Sequence, residues 1–277
     1  MDLSIIIVSW KVKDKLRDNL TALFGSQGDF KFEVFVVDNN SGDGSAAMIE
    51  TEFPDVHLIA NSDNLGFARA NNQALKLAAG RFILLLNPDM RVQPDTLKNV
   101  LSWAEKNPQA TVIGCKLVNE RGEIVKQVRR FPRFFDQFLI AWKIPHLLPG
   151  AVSQYLCADF NYETMARVDS IRGAFFLINR ANYQKISGLG RPLLDERYFI
   201  WFEEVDFCRQ VYQLGGEVWY TPAAICLDYV GQSFKQVKRG QGQKYFSASM
   251  LQYFQKWGKR WEYVVLKITW GLVRLFL

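Results

Sequence analysis

Residues 84–90 read LLLNPDM: an apolar run stops, and a polar Asn87-Pro88-Asp89 step follows at once. The leucines read as the end of a buried strand, and a carboxylate there is costly unless it is solvated, paired or used. That makes Asp89 a candidate metal ligand. Asn, Pro and Asp are also common turn residues, so the tripeptide taken alone reads equally well as a turn. The flanking chain has to decide.

On either side the same pattern recurs. LSIIIVS (3–9), FEVFVVD (32–38), VHLIA (56–60) and RFILLL (81–86) are short apolar runs. Between them apolar residues fall at helical spacing, as Leu16, Leu20 and Leu23 do before Gly25. FARANNQALKLAAG (67–80) predicts a helix ended by Gly80. Strands alternating with helices predict right-handed crossovers and an α/β fold with a mostly parallel central sheet flanked by helices. Ligands are expected at the carboxyl ends of its strands. Polar residues fall there: Ser9 and Trp10 after the first strand, Asp38 to Asn40 after the second, Asn61 to Asn64 after the third, Asn87 to Asp89 after the fourth. Asp38 sits at a second strand end and is followed by small residues that let a ligand approach the backbone; Ser41 and Asp43 are expected to cap the next helix. A helix over 94–106 and strands over 112–118 and 217–230 follow. The basic, aromatic stretch 129–150 has no clean period.

With 277 residues, 49% of them hydrophobic, the chain can build one sizeable core. Its net charge of +6 suits a phosphate-bearing substrate, an acidic lipid surface or a polyanion, and does not choose among them. Cys115, Cys157, Cys208 and Cys226 are scattered with no C-x-x-C pair, which argues for reduced thiols over a zinc knuckle or a disulfide framework. MDLSIIIVSW lacks a basic leader, so a cytoplasmic location is expected. No phosphate-loop motif, no G-x-G-x-x-G after the first strand and no G-x-S-x-G elbow occur, and the histidines are His57 and His146 alone. A kinase, a dehydrogenase and a Ser-His-Asp hydrolase are thereby disfavoured.

FIWFEEVDFCRQ (199–210) places Glu203, Glu204 and Asp206 among aromatic residues. Such surroundings raise a carboxylate's pKa toward that of a working base. An acidic helix N-terminus, favoured by the helix dipole, is the competing reading.

Taken in order, SIIIVSW (4–10), VVDNNSGDGS (36–45), NLGFARANNQAL (64–75), LLLNPDM (84–90), and GAFFLINR through FEEVDFCRQ to DYVGQS (173–233) resemble the inverting family 2 glycosyltransferases of the GT-A fold, especially the rhamnosyltransferase-like branch of bacterial polysaccharide assembly. The resemblance spans roughly residues 2–235 and implies a GT-A domain over 1–245 with a helical tail over 246–277. It implies that Asp38 binds the donor's nucleobase, with Ser9, Trp10 and Asn40 lining the pocket. Asn64, Gly66 and Asn71 would run beneath the nucleotide, and Arg69 would reach the diphosphate. Asn87 and Asp89 match the metal-binding D-x-D position, so Asp89 would hold Mg²⁺ or Mn²⁺. Gly173 and Glu203 would meet the acceptor and Glu204 would be the base, with Asp206 as the substitute. Two positions depart from the family pattern: Glu204 stands where relatives carry Asp, and Asp228 where many carry His, leaving Asp228 as a second metal ligand or a solvated strand-end residue. The implied donor is dTDP-rhamnose or a UDP-sugar, and the acceptor a glycan or a polyprenyl-diphosphate-linked saccharide; nucleic acid is not an expected partner. A catalytically silent nucleotide-sugar-binding subunit is the rival reading.

The loop 233–246, with Lys235, Lys238, Arg239 and Lys244, is expected to close over an anionic donor or to remain a solvated basic loop. EYVVLKITWGLVRLFL (262–277) is interrupted by Lys267 and Arg274 and is shorter than the roughly 20 apolar residues of a bilayer span. It predicts an interfacial helix with Trp261 and Trp270 at headgroup depth, placing the protein peripherally on the cytoplasmic face of the inner membrane; packing of the tail on protein is the alternative.

Overall fold

The computed structural model describes residues 1–144, 149–229 and 239–275. In chain order the elements are β1 (Leu3–Ser9), α1 (Lys13–Phe24), β2 (Phe32–Asp38), α2 (Ser45–Glu52), β3 (His57–Ala60), α3 (Phe67–Leu75), β4 (Phe82–Leu86), β5 (Met90–Val92), α4 (Thr96–Lys106), β6 (Ala110–Val118), β7 (Val128–Arg129), α5 (Phe134–Ala141), α6 (Pro149–Tyr155), β8 (Ala166–Arg167), β9 (Ser170–Ile171), β10 (Phe175–Asn179), α7 (Arg180–Ser187), α8 (Glu203–Gln213), β11 (Glu217–Asp228), α9 (Arg239–Trp257) and α10 (Arg260–Leu275).

Among the described residues the central sheet runs β3-β2-β1-β4-β10-β6-β11-β5, with β8 added to β11. Strands β3, β2, β1 and β4 are mutually parallel, as crossover helices require, and β10 enters antiparallel between β4 and β6. The period of two along β1 divides its side chains between two cores. Ile5 and Ile7 join Leu16, Leu20 and Leu23 of α1 and Leu97 and Val100 of α4 on one face. Ile6 meets Ala68 and Leu75 of α3 and Phe207 and Val211 of α8 on the other. Each large apolar side chain so buried contributes roughly 1.5–3 kcal/mol by leaving water.

Two sequence expectations shift. Helix α3 ends at Leu75, where Leu77 and Ala78 both donate to the Ala74 carbonyl in a tightened last turn. Gly80 instead permits close approach to β1: its N–H donates to Ser4 Oγ at 2.8 Å, and a Cβ there would lie 2.5 Å from the Ser4 nitrogen. The aperiodic stretch 129–150 contains the helix α5, whose sequence FFDQFLIA is apolar on nearly every side because it lies between other elements.

The tail builds a third core. Met250, Tyr253 and Phe254 of α9 and Leu266, Trp270 and Val273 of α10 pack with Ala141, Tyr198, Phe202 and Val205. Trp270 is thus turned inward, 3% exposed, while Trp261 stands 52% exposed. Of the two tryptophans expected at headgroup depth, Trp270 is thereby corrected to a core residue and Trp261 lies on the surface. Among the described residues no helix is long and apolar enough to cross a membrane. Lys235 and Lys238 of the expected closing loop lie outside the described residues.

Candidate active site

The parallel strands deliver their polar termini to one edge of the sheet. Ser9 and Asp38 are register partners at the ends of β1 and β2. Both are buried, and among the described residues Ser9 Oγ and Asp38 Oδ1 have no hydrogen-bond donor or acceptor. The other Asp38 oxygen accepts the Ser41 N–H at 3.4 Å. Orphaned polar atoms in a buried position are uncommon and carry a desolvation penalty, so a pair of them at adjacent strand ends marks a place where a ligand group completes the bonding.

Asn40 is exposed, in the left-handed backbone region at φ 61°. Its neighbour Asn39 is the buried organiser: its amide donates to Asn64 Oδ1 at 3.0 Å and to the Gly66 carbonyl at 3.2 Å, and its carbonyl oxygen accepts from Asn61 and Leu65. Asn64 also accepts the Gly66 N–H at 3.0 Å. These bonds set the entry to α3. Gly66 has φ 81°, and a Cβ there would collide with the Phe199 carbonyl oxygen, which accepts the Phe67 N–H at 2.6 Å. Asn71, one turn into α3, donates to the Phe67 carbonyl at 2.9 Å, and its buried Oδ1 has no partner among the described residues. Trp10 is half-buried, with Lys11 Nζ 5.1 Å from its ring. Arg69 is 3.9 Å from Glu196 in an exposed pair. Ser41 does not cap α2; its hydroxyl accepts the Lys11 N–H at 3.0 Å, and Asp43 alone receives Ser45 at the helix start.

On the other side of the edge, the Asn87 N–H donates to the Ala174 carbonyl at 3.0 Å, and the Asn87 carbonyl accepts Asn19 Nδ2 at 2.9 Å. Asp89 precedes β5, where Met90 pairs with Asp228 of β11, and the Tyr229 N–H reaches the Asp89 carbonyl at 3.2 Å. Asp89 and Asp228 are both buried, 4% and 2% exposed, and the β5–β11 pairing brings their backbones to the same end of the sheet. Oxygen donors of this kind fit a hard divalent cation. Among the described residues no group of three or more His, Cys, Asp or Glu side chains is arranged so that it could hold a metal ion. Arg172, which motif reading passed over, lies 3.6 Å from Asp228.

The acid cluster closes the edge. Trp201 and Phe202, neither of them glycine, enter α8 with φ 67° and 70°, a backbone state costing of order 1–3 kcal/mol per residue that persists only when its surroundings fix it. Packing of Phe202 against Phe246 and Tyr253 of α9 does so. The turn that follows places Glu204 Cβ 3.7 Å from where a Gly173 side chain would begin, with Phe67 3.9 Å from the same point. Glu204 and Phe67 of α3 thus both border Gly173. One oxygen of Glu203 and one of Glu204 are buried with no donor among the described residues. Burial pushes the Glu204 carboxyl above the ordinary glutamate value, opposed in part by the charge of Arg172. Glu203 is pushed well above it, by burial first and then by the Glu204 charge.

Asp206 is placed differently. Its oxygens accept from Tyr198 Oη at 3.2 Å, Trp257 Nε1 at 2.6 Å, Gln210 Nε2 at 2.5 Å and Lys256 Nζ at 2.8 Å. Two of those donors come from α9, so the C-terminal helices are fastened to the helix that carries Glu204.

A family model described as Glycosyl transferase family 2 matches residues 4–154, more than half of the chain. N-acetylglucosaminyl-diphospho-decaprenol L-rhamnosyltransferase of Mycobacterium tuberculosis is 24% identical over 211 residues, covering 72% of this chain and 67% of that protein. Rhamnosyltransferase WbbL of Escherichia coli is 25% identical over 236 residues, covering 81% and 82%. Among solved structures, the mannosyltransferase PcManGT from Pyrobaculum calidifontis, in complex with GDP-Man and Mn²⁺, matches with TM-score 0.59 at 18% identity, over 92% of this chain and 63% of that one. TarS of S. aureus in complex with UDP-GlcNAc matches with TM-score 0.55 at 17% identity, over 90% and 64%. The chain thus spans somewhat under two thirds of those two neighbours, and the likeness establishes the GT-A fold.

Proposed function

The chain belongs to glycosyltransferase family 2, and from that premise we propose that it moves one sugar, with inversion, from a nucleotide donor to a hydroxyl of a glycan or polyprenyl-diphosphate-linked saccharide. Rhamnose from dTDP-rhamnose is the preferred donor, in keeping with the two rhamnosyltransferase relatives, and a UDP-sugar is next. The observation that carries the reading is Glu204, set beside Gly173 with one buried oxygen that has no donor among the described residues, in a fold whose strand ends also carry the buried Asp38, Asp89 and Asp228.

Ser9, Asp38, Trp10 and Asn40 receive the nucleobase end, and the α3 entry from Asn64 through Gly66 to Asn71 runs beneath the nucleotide, with Arg69 and Asn87 toward the diphosphate. Asp89 and Asp228 would hold a Mg²⁺ or Mn²⁺ ion. Bound there, such an ion supplies positive charge for the negative charge that develops on the departing diphosphate. Gly173 and Glu203 border the acceptor. Glu204 takes the proton from the acceptor hydroxyl as that oxygen bonds to the anomeric carbon, and the carbon–oxygen bond to the nucleoside diphosphate breaks on the opposite side. Asp206, with its oxygens committed to four donors, positions α8 and leaves proton transfer to Glu204. A lipid-linked acceptor implies work at the cytoplasmic face of a membrane, through the tail.

The test is transfer and donor hydrolysis measured over a panel of nucleotide sugars with Mn²⁺, for the parent, Asp89→Ala and Glu204→Gln. One donor should be consumed only with metal, and both variants should lose turnover; equal turnover in all three would remove the assignment. A catalytically silent binding subunit, favoured by the Arg172–Asp228 pair at 3.6 Å, would show donor-specific thermal stabilisation with no turnover in the parent.

A further inference from the structure

Helix α10 is apolar on two opposite faces, and the fold covers only one of them. Leu266, Trp270 and Val273 are buried against α9 and α5. Trp261, Val264, Ile268 and Leu272 form a second row at helical spacing and stand 52%, 43%, 58% and 44% exposed. Trp261 extends this row toward α5, whose Phe134 ring lies 4.8 Å away, and Phe135 on α5 is itself half exposed. Single exposed apolar residues are ordinary on a surface, whereas a continuous row of four ending in a tryptophan is not.

Charge identifies what fits this face. Arg260 and Lys267, seven residues apart and so on one side of the helix, are exposed along a single flank of the row. The acid of the helix, Glu262, lies on the other flank and is turned back to accept the Lys259 N–H at 2.7 Å. An apolar row with a basic border and a tryptophan at its end is the chemistry of a helix lying in the headgroup region of an anionic bilayer, apolar side chains inward and basic ends at the phosphates. We propose that the outer face of α10 docks the protein onto an anionic membrane surface. Its use to the enzyme rests on the lipid-linked acceptor proposed above, but docking itself involves no sugar chemistry. The occupant is the lipid surface: a second copy of the chain would present the same basic flank and bring like charges together.

The experiment is co-sedimentation of the full chain with phosphatidylglycerol–phosphatidylethanolamine vesicles and with phosphatidylcholine vesicles, at low and high salt and without nucleotide sugar. The parent should bind the anionic vesicles, weaken as salt rises, and bind phosphatidylcholine poorly. Ile268→Ser with Leu272→Ser should lower the binding constant about tenfold or more, since each removes a large apolar side chain from the contact. Arg260→Glu with Lys267→Glu, on fully solvated positions, should abolish the preference for anionic lipid while the thermal unfolding midpoint stays parental. Parental vesicle binding by either pair of substitutions would overturn the proposal, as would equal affinity for phosphatidylcholine. So would sedimentation velocity showing a parental dimer that the serine pair dissolves, because the face would then belong to a second copy. Vesicle binding is read apart from catalysis, so an inactive protein that docks refutes the transferase reading alone, and an active one that does not dock refutes this one alone.

Discussion

Glu204 and Asp206 lie two residues apart on the first turn of α8, the first half-buried and the second wholly buried, and the fold treats them in opposite ways. Glu204 borders Gly173, and among the described residues one of its oxygens receives no donor. Asp206 faces the C-terminal helices and receives four. Withholding donors from a buried carboxylate destabilises its charged form and keeps it hungry for a proton; surrounding it with donors makes it a fastening. On the proposed mechanism the same turn therefore separates the base from a structural group. The strained entry at Trp201 and Phe202 is what aims the first, and the third core together with the Asp206 bonds is what holds the strain.

Asp206→Ala should have the largest effect on stability. It leaves Lys256 without one of its two carboxylates and removes the fully buried acceptor of four donors, a change worth about 3–5 kcal/mol, readable from urea unfolding. An Asp206→Ala protein as stable as the parent would break the contrast. Lys256→Met should cost less, about 1.5–3 kcal/mol, because the other three donors remain on Asp206; its turnover per folded molecule should stay near parental.

Arg172→Met sharpens the other half of the comparison. The Arg172 charge favours ionised Glu204, so its removal raises the Glu204 pKa, and the acid limb of the kcat/KM profile should move to higher pH. An unmoved limb would mean that Glu204 is not the titrating base. Glu203→Gln should do least: burial and the Glu204 charge hold Glu203 well above its ordinary value, and glutamine resembles the neutral acid. A rate collapse in that variant, with KM and folding unchanged, would transfer the base to Glu203.

Much of this was legible in the chain and some was not, for physical reasons. The strand ends showed themselves because an apolar run must stop where backbone meets solvent, and LLLNPDM, VVDNN and the IIIVSW segment each stop on polar or ligand-sized residues. Asn39 was hidden by its twin: nothing in the pair Asn39-Asn40 says which amide turns inward, although the strand period offered a hint, since Asn39 continues β2 by one residue. Arg172 stood beside Gly173 in a stretch noticed only for its glycine, and its partner Asp228 comes from a strand 56 residues further on, by 228 minus 172. The fastening of Asp206 joins residues 50 and 51 positions apart, which no local pattern reports. Trp270 was assigned outward because amphipathic periodicity cannot choose sides when a helix is apolar on two faces.

The central claim concerns one oxygen of one side chain, and turnover per folded molecule of Glu204→Gln, set beside Lys256→Met with saturating donor and Mn²⁺, tests it most directly. Glu204→Gln should fall about 10²- to 10⁴-fold with an unchanged unfolding midpoint, as loss of a general base does, while Lys256→Met keeps its rate. Parental turnover in Glu204→Gln, or an equal fall in both variants, would contradict the division of labour along α8.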